Sequence, residues 1–437
     1  MRTVINTTLK ITACVILTTC LSCRDDSDDL TSYAYQDIIN FAKANSSLEE
    51  QFKAIWTAMN CNYAIWDYEE QNGLNWDKVY DTYLPKFKKL DQTYNHENPV
   101  PDSVLADTYY SAFKDLHDGH LSMNLLNIHT GKKIDRTIIP QLGRNVENAI
   151  ESVANSLEFI YYLYFKPTLD YYNDEGLMKE VVEASEYIYG CFNDNIVYLR
   201  IPHFNLEEQI RKKDENEQRQ SVYKLWNSWF NCIQKLNTEN SLKGVIIDLR
   251  NNGGGNSEDY QYVLGALQEG NYGKDKQYRH IGYFRSKSGV GRYDYSWSQP
   301  YTSPVYQGEH ANINVPIILL VNNFSASMSE ITCIAAKQMS NSYIIGLKTF
   351  GAFSPLINTY SATYSGSVGD PALAETDEND SYFAPFYINI PSCAFLNLNK
   401  EVIDGSGIEP DEVVHIDVSA NGDNLINRAL EYIRNGK

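Results

Sequence analysis

Residues Pro316 to Phe353 read PIILLVNNFSASMSEITCIAAKQMSNSYIIGLKTFGAF. Ile317 to Val321 is an unbroken run of β-branched and leucine residues, the composition of a strand buried on both faces. Asn322 and Asn323 end it, and a helical pattern follows from about Met328 to Gln338. Ser325 and Ser327 therefore fall where a central strand turns into a helix. The first N–H groups of that helix lack intrahelical partners and carry the positive end of its dipole. A serine nucleophile suits the place, because the same N–H groups can hold an oxyanion. Helix capping is the plainer role for either serine, with Glu330 three residues after Ser327 closing a capping box.

The surrounding composition narrows the options. The chain has 437 residues, 43% hydrophobic and 21% charged, enough to bury the core of one large domain or several ordinary ones. A formal net charge of −19 argues against nucleic acid or an anionic membrane surface as the main partner. Tyrosine outnumbers phenylalanine, 33 to 16, which suits polar, peptide-like or glycan ligands.

The N-terminus reads as a targeting segment. Arg2 and Lys10 precede an apolar stretch, Ile11 to Leu21, too short for a span of about 20 residues. Cys20-Leu21-Ser22-Cys23 and the acidic Arg24-Asp25-Asp26-Ser27-Asp28-Asp29 follow. This resembles a bacterial lipoprotein signal with Cys23 as the lipidated residue, although Cys20 stands where leucine is expected. A cleavage before Cys20 and an ordinary cleaved signal are the alternatives. The acidic tract resembles the surface-export tag of Bacteroidetes lipoproteins. The resemblance implies lipid anchoring to the outer membrane, on its periplasmic or cell-surface face, with no other membrane contact. Beyond Cys23 lie Cys61, Cys191, Cys232, Cys333 and Cys393, dispersed and without a CxxC pair, so no metal site is expected. One disulfide is compatible with an oxidising compartment.

Along the chain, a signal at 1–23 and an acidic tether at 24–32 precede a helical domain over 33–120. Ser47-Leu48-Glu49-Glu50 and Asn75-Trp76-Asp77 start two of its helices, and Pro101-Asp102-Ser103 a third. It ends at Leu116-His117-Asp118-Gly119-His120. Residues 121–186 are poorly defined: Asn145–Leu157 and Asp174–Ala184 have helical character, Glu158–Phe165 that of a strand, and no PDZ domain is evident. Over 187–437, strands and helices alternate, which predicts an α/β core with a largely parallel sheet. Its expected elements include a helix over Arg219–Leu236, the buried strand Gly244–Leu249 and a helix over Ser257–Gln268. A hairpin or flap is expected over Lys276–Tyr306.

Three further constellations carry chemistry. Asp248-Leu249-Arg250-Asn251-Asn252-Gly253-Gly254-Gly255 follows a buried strand, and its glycines can aim consecutive N–H groups at one anion. It lacks the Gly-Lys-Ser/Thr ending of a phosphate loop. His120 is a candidate general base. Asp404, before Gly405 in a turn-rich segment, is a carboxylate able to orient a histidine.

DLRNNGGG, NNFSASMSE, GLKTFG and GSGIEPD occur in the order found in the C-terminal processing and tricorn-core serine peptidases. The chain resembles that family over about Asn195 to Val418. The resemblance implies a ClpP/crotonase-like α/β core with β-rich insertions beside the helical domain, a mixed α+β protein. It implies Ser327 as nucleophile, with an oxyanion hole from the Met328 amide and that of Gly253 or Gly254. In the processing branch a lysine follows the glycine of TFG; here Ala352 does, and Lys348 lies four residues earlier. The base then follows the tricorn-like branch, where a histidine matches His120 and an acid, a glutamate in that branch, matches Asp404. The serine that precedes the histidine there is Gly119 here. The expected protein is a lipid-anchored endopeptidase acting on peptide or protein substrates, without metal or cofactor. A ligand-binding lipoprotein that has lost the activity is the alternative.

Overall fold

The computed structural model describes residues 46–140, 178–182, 185–257, 259–267, 278–304, 306, 308–356, 367–370, 373, 384–415 and 423–436. Cys23, the tether, and the segments read at 145–157 and 158–165 lie outside them.

The helices are α1 (Leu48–Asn62), α2 (Trp66–Gln71), α3 (Trp76–Thr93), α4 (Asp102–Phe113), α5 (Leu206–Arg211), α6 (Glu217–Thr238), α7 (Leu264–Leu267), α8 (Met328–Ala336) and α9 (Asn424–Asn435). The strands are β1 (Ser122–Asn127), β2 (Lys132–Lys133), β3 (Met178–Val182), β4 (Ser185–Cys191), β5 (Ile196–Arg200), β6 (Gly244–Asp248) and β7 (Tyr278–Ser286). They continue as β8 (Gln299–Pro304), β9 (Ile317–Val321), β10 (Ser342–Gly346), β11 (Ser367–Gly369), β12 (Phe386–Asn389), β13 (Cys393–Leu396) and β14 (Glu412–Val413).

The first helices begin at side-chain caps: Ser47 accepts the Glu50 N–H, and Asn75 that of Lys78. Apolar residues three and four apart share a helix face, so Phe52, Ile55 and Met59 of α1 pack with Phe87 of α3 and Tyr109 of α4. Strands complete this core. Met123 and Leu125 of β1 and Phe386 and Ile388 of β12 are buried in it, in a sheet ordered β11-β12-β1-β2.

The second body is built on a seven-stranded sheet, β14-β10-β9-β6-β5-β4-β3. Strands β5, β6, β9, β10 and β14 run parallel, and β4 and β3 antiparallel. Alternate residues serve opposite faces. Val245, Ile247, Ile317 and Leu319 meet Val222, Leu225, Trp229 and Ile233 of α6. Ile246, Ile318 and Leu320 meet Leu425, Ile426 and Ala429 of α9. Burial on both faces is why GVIID and IILLV contain no polar alternation. Strands β6 and β9 are neighbours, with Asp248 opposite Leu320. The loops DLRNNGGG and NNFSAS consequently leave the same sheet edge side by side, the usual place for a site in such sheets.

The hairpin expected over Lys276–Tyr306 is β7–β8, which pairs with β13. It is tied to the helices: Arg285 forks onto Asp67 with two bonds of 2.7 Å, and Arg292 reaches Asp77 and Asn60.

Two elements differ from expectation. The described part of the helix read at Asp174–Ala184 is strand β3, paired with β4 from Met178 to Val182; a partner strand outweighs weak local propensity. The helix read at Ser257–Gln268 is a single 3-10 turn, Asp259–Tyr262, followed by the short α7. Buried Asp259 accepts the Leu206 and Glu207 amides at the start of α5, which fixes the segment as a connector. Cys61, Cys191, Cys232, Cys333 and Cys393 are free thiols. No helix among the described residues is long and apolar enough to cross a membrane.

Candidate active site

Ser325 and Ser327 separate cleanly. Ser325 is fully buried; its Oγ donates to the Leu249 carbonyl at 2.8 Å and accepts the Asn322 N–H at 3.0 Å. It braces the loop and is unavailable to a substrate. Ser327 is half-buried at the N-terminus of α8, with φ 55° and ψ −115°. A positive φ on a residue with a Cβ costs on the order of 1–3 kcal/mol and persists only where surroundings enforce it. Here Glu330 Oε2 accepts the Ser327 N–H at 3.0 Å. The Asn252 carbonyl accepts the Ala326 N–H at 3.0 Å and the Ser329 hydroxyl at 2.8 Å. The turn places the serine at the strand-to-helix junction, as in a nucleophile elbow.

The glycine loop lies against it. A Cβ on Gly254 would stand 2.5 Å from Ser327 Cβ and 2.9 Å from Met328 N, and Gly254 has φ +103°. Only glycine permits this approach. The Gly254 N–H, expected as an oxyanion donor, donates instead to Asn252 Oδ1 at 2.8 Å; the Asn252 side chain also bonds the Ile201 carbonyl at 3.0 Å. Gly253 is exposed beside Ser327 in the same cleft. The Met328 amide stands at the start of α8, where no preceding turn supplies an acceptor. Gly253 and Met328 thus offer two amides in the cleft that can face an oxyanion.

His120 and Ser327 line one cleft of about 430 Å³ with Gly253 and Met328. Asp118 shapes the histidine turn: its Oδ1 accepts the His120 N–H at 2.6 Å and the Leu121 N–H at 3.0 Å. The His120 Nδ1 is buried without a hydrogen-bond partner. Burial lowers the imidazole pKa to about 4, with the Ser354 backbone beside the ring acting the other way. The ring is therefore neutral at pH 7, the form that accepts a proton.

Asp404, expected to orient His120, makes no hydrogen bond to it. Its Oδ1 accepts the Phe353 and Ser354 N–H groups at 3.0 and 2.8 Å, and its Oδ2 the Ser354 hydroxyl at 2.6 Å. Those donors hold the carboxylate on Phe353 and Ser354 rather than on the ring. Burial raises Asp404 to about 6, against those hydrogen bonds. Burial, and then the Asp404 charge, push Asp118 well above the usual carboxylate range. Lys348 pairs with Glu409 at 2.9 Å at the surface. Ala352 is buried against Gly119: a Cβ on that glycine would lie 2.6 Å from Ala352 Cβ. The two departures from the family pattern, at 119 and 352, are therefore in contact.

Several parts of the site had no role in the sequence reading. Ser354 and Asn252 carry no local signal for these roles, because the Ser354–Asp404 and Asn252–Ile201 bonds span 50 and 51 residues of chain. Glu330 was legible only as a cap. It is fully buried and also accepts from Thr349 Oγ1, Gly351 N and Ala352 N, and burial raises it to about 7. Arg250 is buried and forks onto Asp248 and Asp423, joining the end of β6 to the cap of α9. The rest of the cleft is mostly apolar, from Phe284, Tyr301, Ile331, Phe353 and Leu356. Among the described residues no group of His, Cys, Asp or Glu is arranged to hold a metal ion.

A serine on a strained strand-to-helix turn, lining one cleft with a histidine and with Gly253 and Met328, is a candidate serine hydrolase site on a mixed α/β fold. The model of peptidase family S41 matches residues 195–414, just over half of the 437. The chain belongs to that family and is a serine peptidase. Among solved structures, a putative peptidase from Parabacteroides merdae is similar at 19% identity and TM-score 0.58, over 89% of this chain and 97% of that one. Mature CPAF, solved with lactacystin, is similar at 10% identity and TM-score 0.53, over 90% of this chain and 97% of its own. At these identities the likeness is one of fold. No curated protein matches the chain by sequence.

Proposed function

We propose that the chain is an endopeptidase in which Ser327 is the nucleophile and His120 the general base. The carrying observation is the positive-φ Ser327 sharing a cleft with His120 and the Gly253 and Met328 amides. Ser327 Oγ attacks the scissile carbonyl carbon while a neutral His120 nitrogen takes its proton. The Gly253 and Met328 N–H groups hold the oxyanion, a contribution of roughly 3–4 kcal/mol per donor in enzymes where one has been removed. Collapse passes the proton from His120 to the leaving amine, and water then releases the acyl group by the same steps. The apolar cleft wall favours substrates presenting an aliphatic or aromatic side chain. Cys23 is the proposed lipid attachment, placing the enzyme at the outer membrane with proteins or peptides of the cell envelope as substrates. Metabolic labelling with an alkyne fatty acid tests this; label retained in Cys23→Ala would sink it.

A fluorophosphonate probe tests the chemistry. It should label the wild type and fail to label Ser327→Ala and His120→Ala. The alternative, a binding protein on the same fold, is favoured by the unpartnered His120 Nδ1 and by Asp404 facing Ser354. A folded wild type that resists the probe supports that alternative.

A further inference from the structure

We propose that Glu330 and Asp404 are positioning residues, setting His120 against Ser327 through a shared strap, Gly351–Ser354, in place of a direct carboxylate–imidazole bond. The inference rests on the peptidase reading and concerns what holds that site together.

Four consecutive amides of the strap donate to two buried carboxylates. Gly351 N–H donates to Glu330 Oε1 at 2.7 Å, and Ala352 N–H to Glu330 Oε2 at 2.8 Å. Phe353 and Ser354 N–H both donate to Asp404 Oδ1, at 3.0 and 2.8 Å. The Ser354 hydroxyl takes the remaining Asp404 oxygen at 2.6 Å. Charge-assisted bonds of this kind, shielded from water, hold a backbone more firmly than neutral ones.

Both ends of the catalytic pair touch this strap. Glu330 Oε2 accepts the Ala352 N–H and also the Ser327 N–H at 3.0 Å, so one oxygen spans strap and nucleophile. On the other side Ala352 packs on Gly119, the residue before His120, and the Ser354 backbone lies beside the imidazole. The loop carrying Asp404 is joined to the strap again through the Gly405 N–H and Gly351 carbonyl at 2.8 Å. Phe353 projects from the strap into the cleft wall. The distance from serine to histidine is therefore set by carboxylate-to-amide bonds that exist before any substrate arrives.

The test uses the full chain and two readouts: the fluorophosphonate labelling rate constant across pH, and the NMR titration of the His120 ring. Ser354→Ala keeps the backbone bonds and removes the hydroxyl; its labelling should slow about tenfold or more, since small misplacements of a base are costly. Ser354→Thr, which restores a hydroxyl, should recover most of the rate. Asp404→Asn combined with Ser354→Ala should lose little more than Asp404→Asn alone, because the two act as one unit. A Ser354→Ala enzyme as fast as the wild type, or losses that multiply, overturns the proposal. If the wild type does not label at all, the peptidase reading fails and the titration alone decides the strap. In that case Ser354→Ala should shift the His120 titration away from that of the wild type, and an unmoved titration overturns the proposal.

Discussion

Replacing Gly119 with alanine drives a methyl group into the strap beside the base. The new Cβ would stand 2.6 Å from Ala352 Cβ, 2.8 Å from Ala352 Cα and 3.0 Å from the Phe350 ring. Carbon atoms in contact prefer about 3.5–4.0 Å, so the two segments must part by roughly 1 Å. Overpacking of this kind costs about 1–3 kcal/mol. The smaller entropy of the unfolded alanine chain returns about 0.4–1 kcal/mol. The net loss expected by urea denaturation is therefore about 0–2.6 kcal/mol. Activity should suffer more, because a displacement of about 1 Å at a catalytic group can cost on the order of 100-fold. Fluorophosphonate labelling kinetics measure that directly. Gly119→Ser, which places at this position the residue of the tricorn-like branch, should fare no better than alanine. Ala352→Gly in the same chain removes the 2.6 Å contact and leaves the 2.8 Å one, so recovery should be partial. A Gly119→Ala protein that labels within twofold of the wild type at unchanged stability refutes the packing argument.

Other perturbations separate chemistry from scaffold. Gly254→Ala puts a Cβ 2.5 Å from Ser327 Cβ at φ +103° and should abolish labelling, checked by intact-mass spectrometry. Asp423→Ala removes one of the two carboxylates on the buried Arg250 guanidinium, leaving Asp248, and should cost about 1–3 kcal/mol by urea denaturation. As pH falls, Glu330 and Asp404, raised by burial to about 7 and about 6, protonate before His120, lowered to about 4. The acid limb of kcat/KM should accordingly fall near pH 6–7 and change in Asp404→Asn; a limb near 4, unmoved in that variant, would assign it to His120 alone. Peptide libraries should show aliphatic or aromatic residues beside the cleaved bond preferred over charged ones, by roughly 10-fold or more. Equal cleavage of both would rule out the apolar cleft as a selector.

Much of the fold could be read from local pattern. The buried strands Gly244–Asp248 and Ile317–Val321 announce themselves by unbroken apolar runs, and the caps at Ser47 and Asn75 by residue type and spacing. These signals are short-range: a strand needs a composition, a cap needs one side chain three residues from an amide. Long-range packing was not legible in the same way. Strand β3 has too little pattern of its own and exists because β4 pairs with it. The core of the helical unit draws on Phe386 and Ile388, more than 200 residues away, which no local reading of the first four helices could supply.

The site divides along the same line. Sequence alone determined that a serine would stand where a buried strand meets a helix, that a triple glycine would adjoin it, and that Ala352 leaves no lysine base at that position. Each is a statement about residue type at a place on a chain. Tertiary structure decided which serine is braced and which lines the cleft, and that the Gly254 amide is already engaged. It also decided that Asp404 grips Ser354 while His120 turns an unpartnered nitrogen inward. A carboxylate's partner is set by distances of a few tenths of an ångström between segments 50 residues apart, and only the packed core sets those distances.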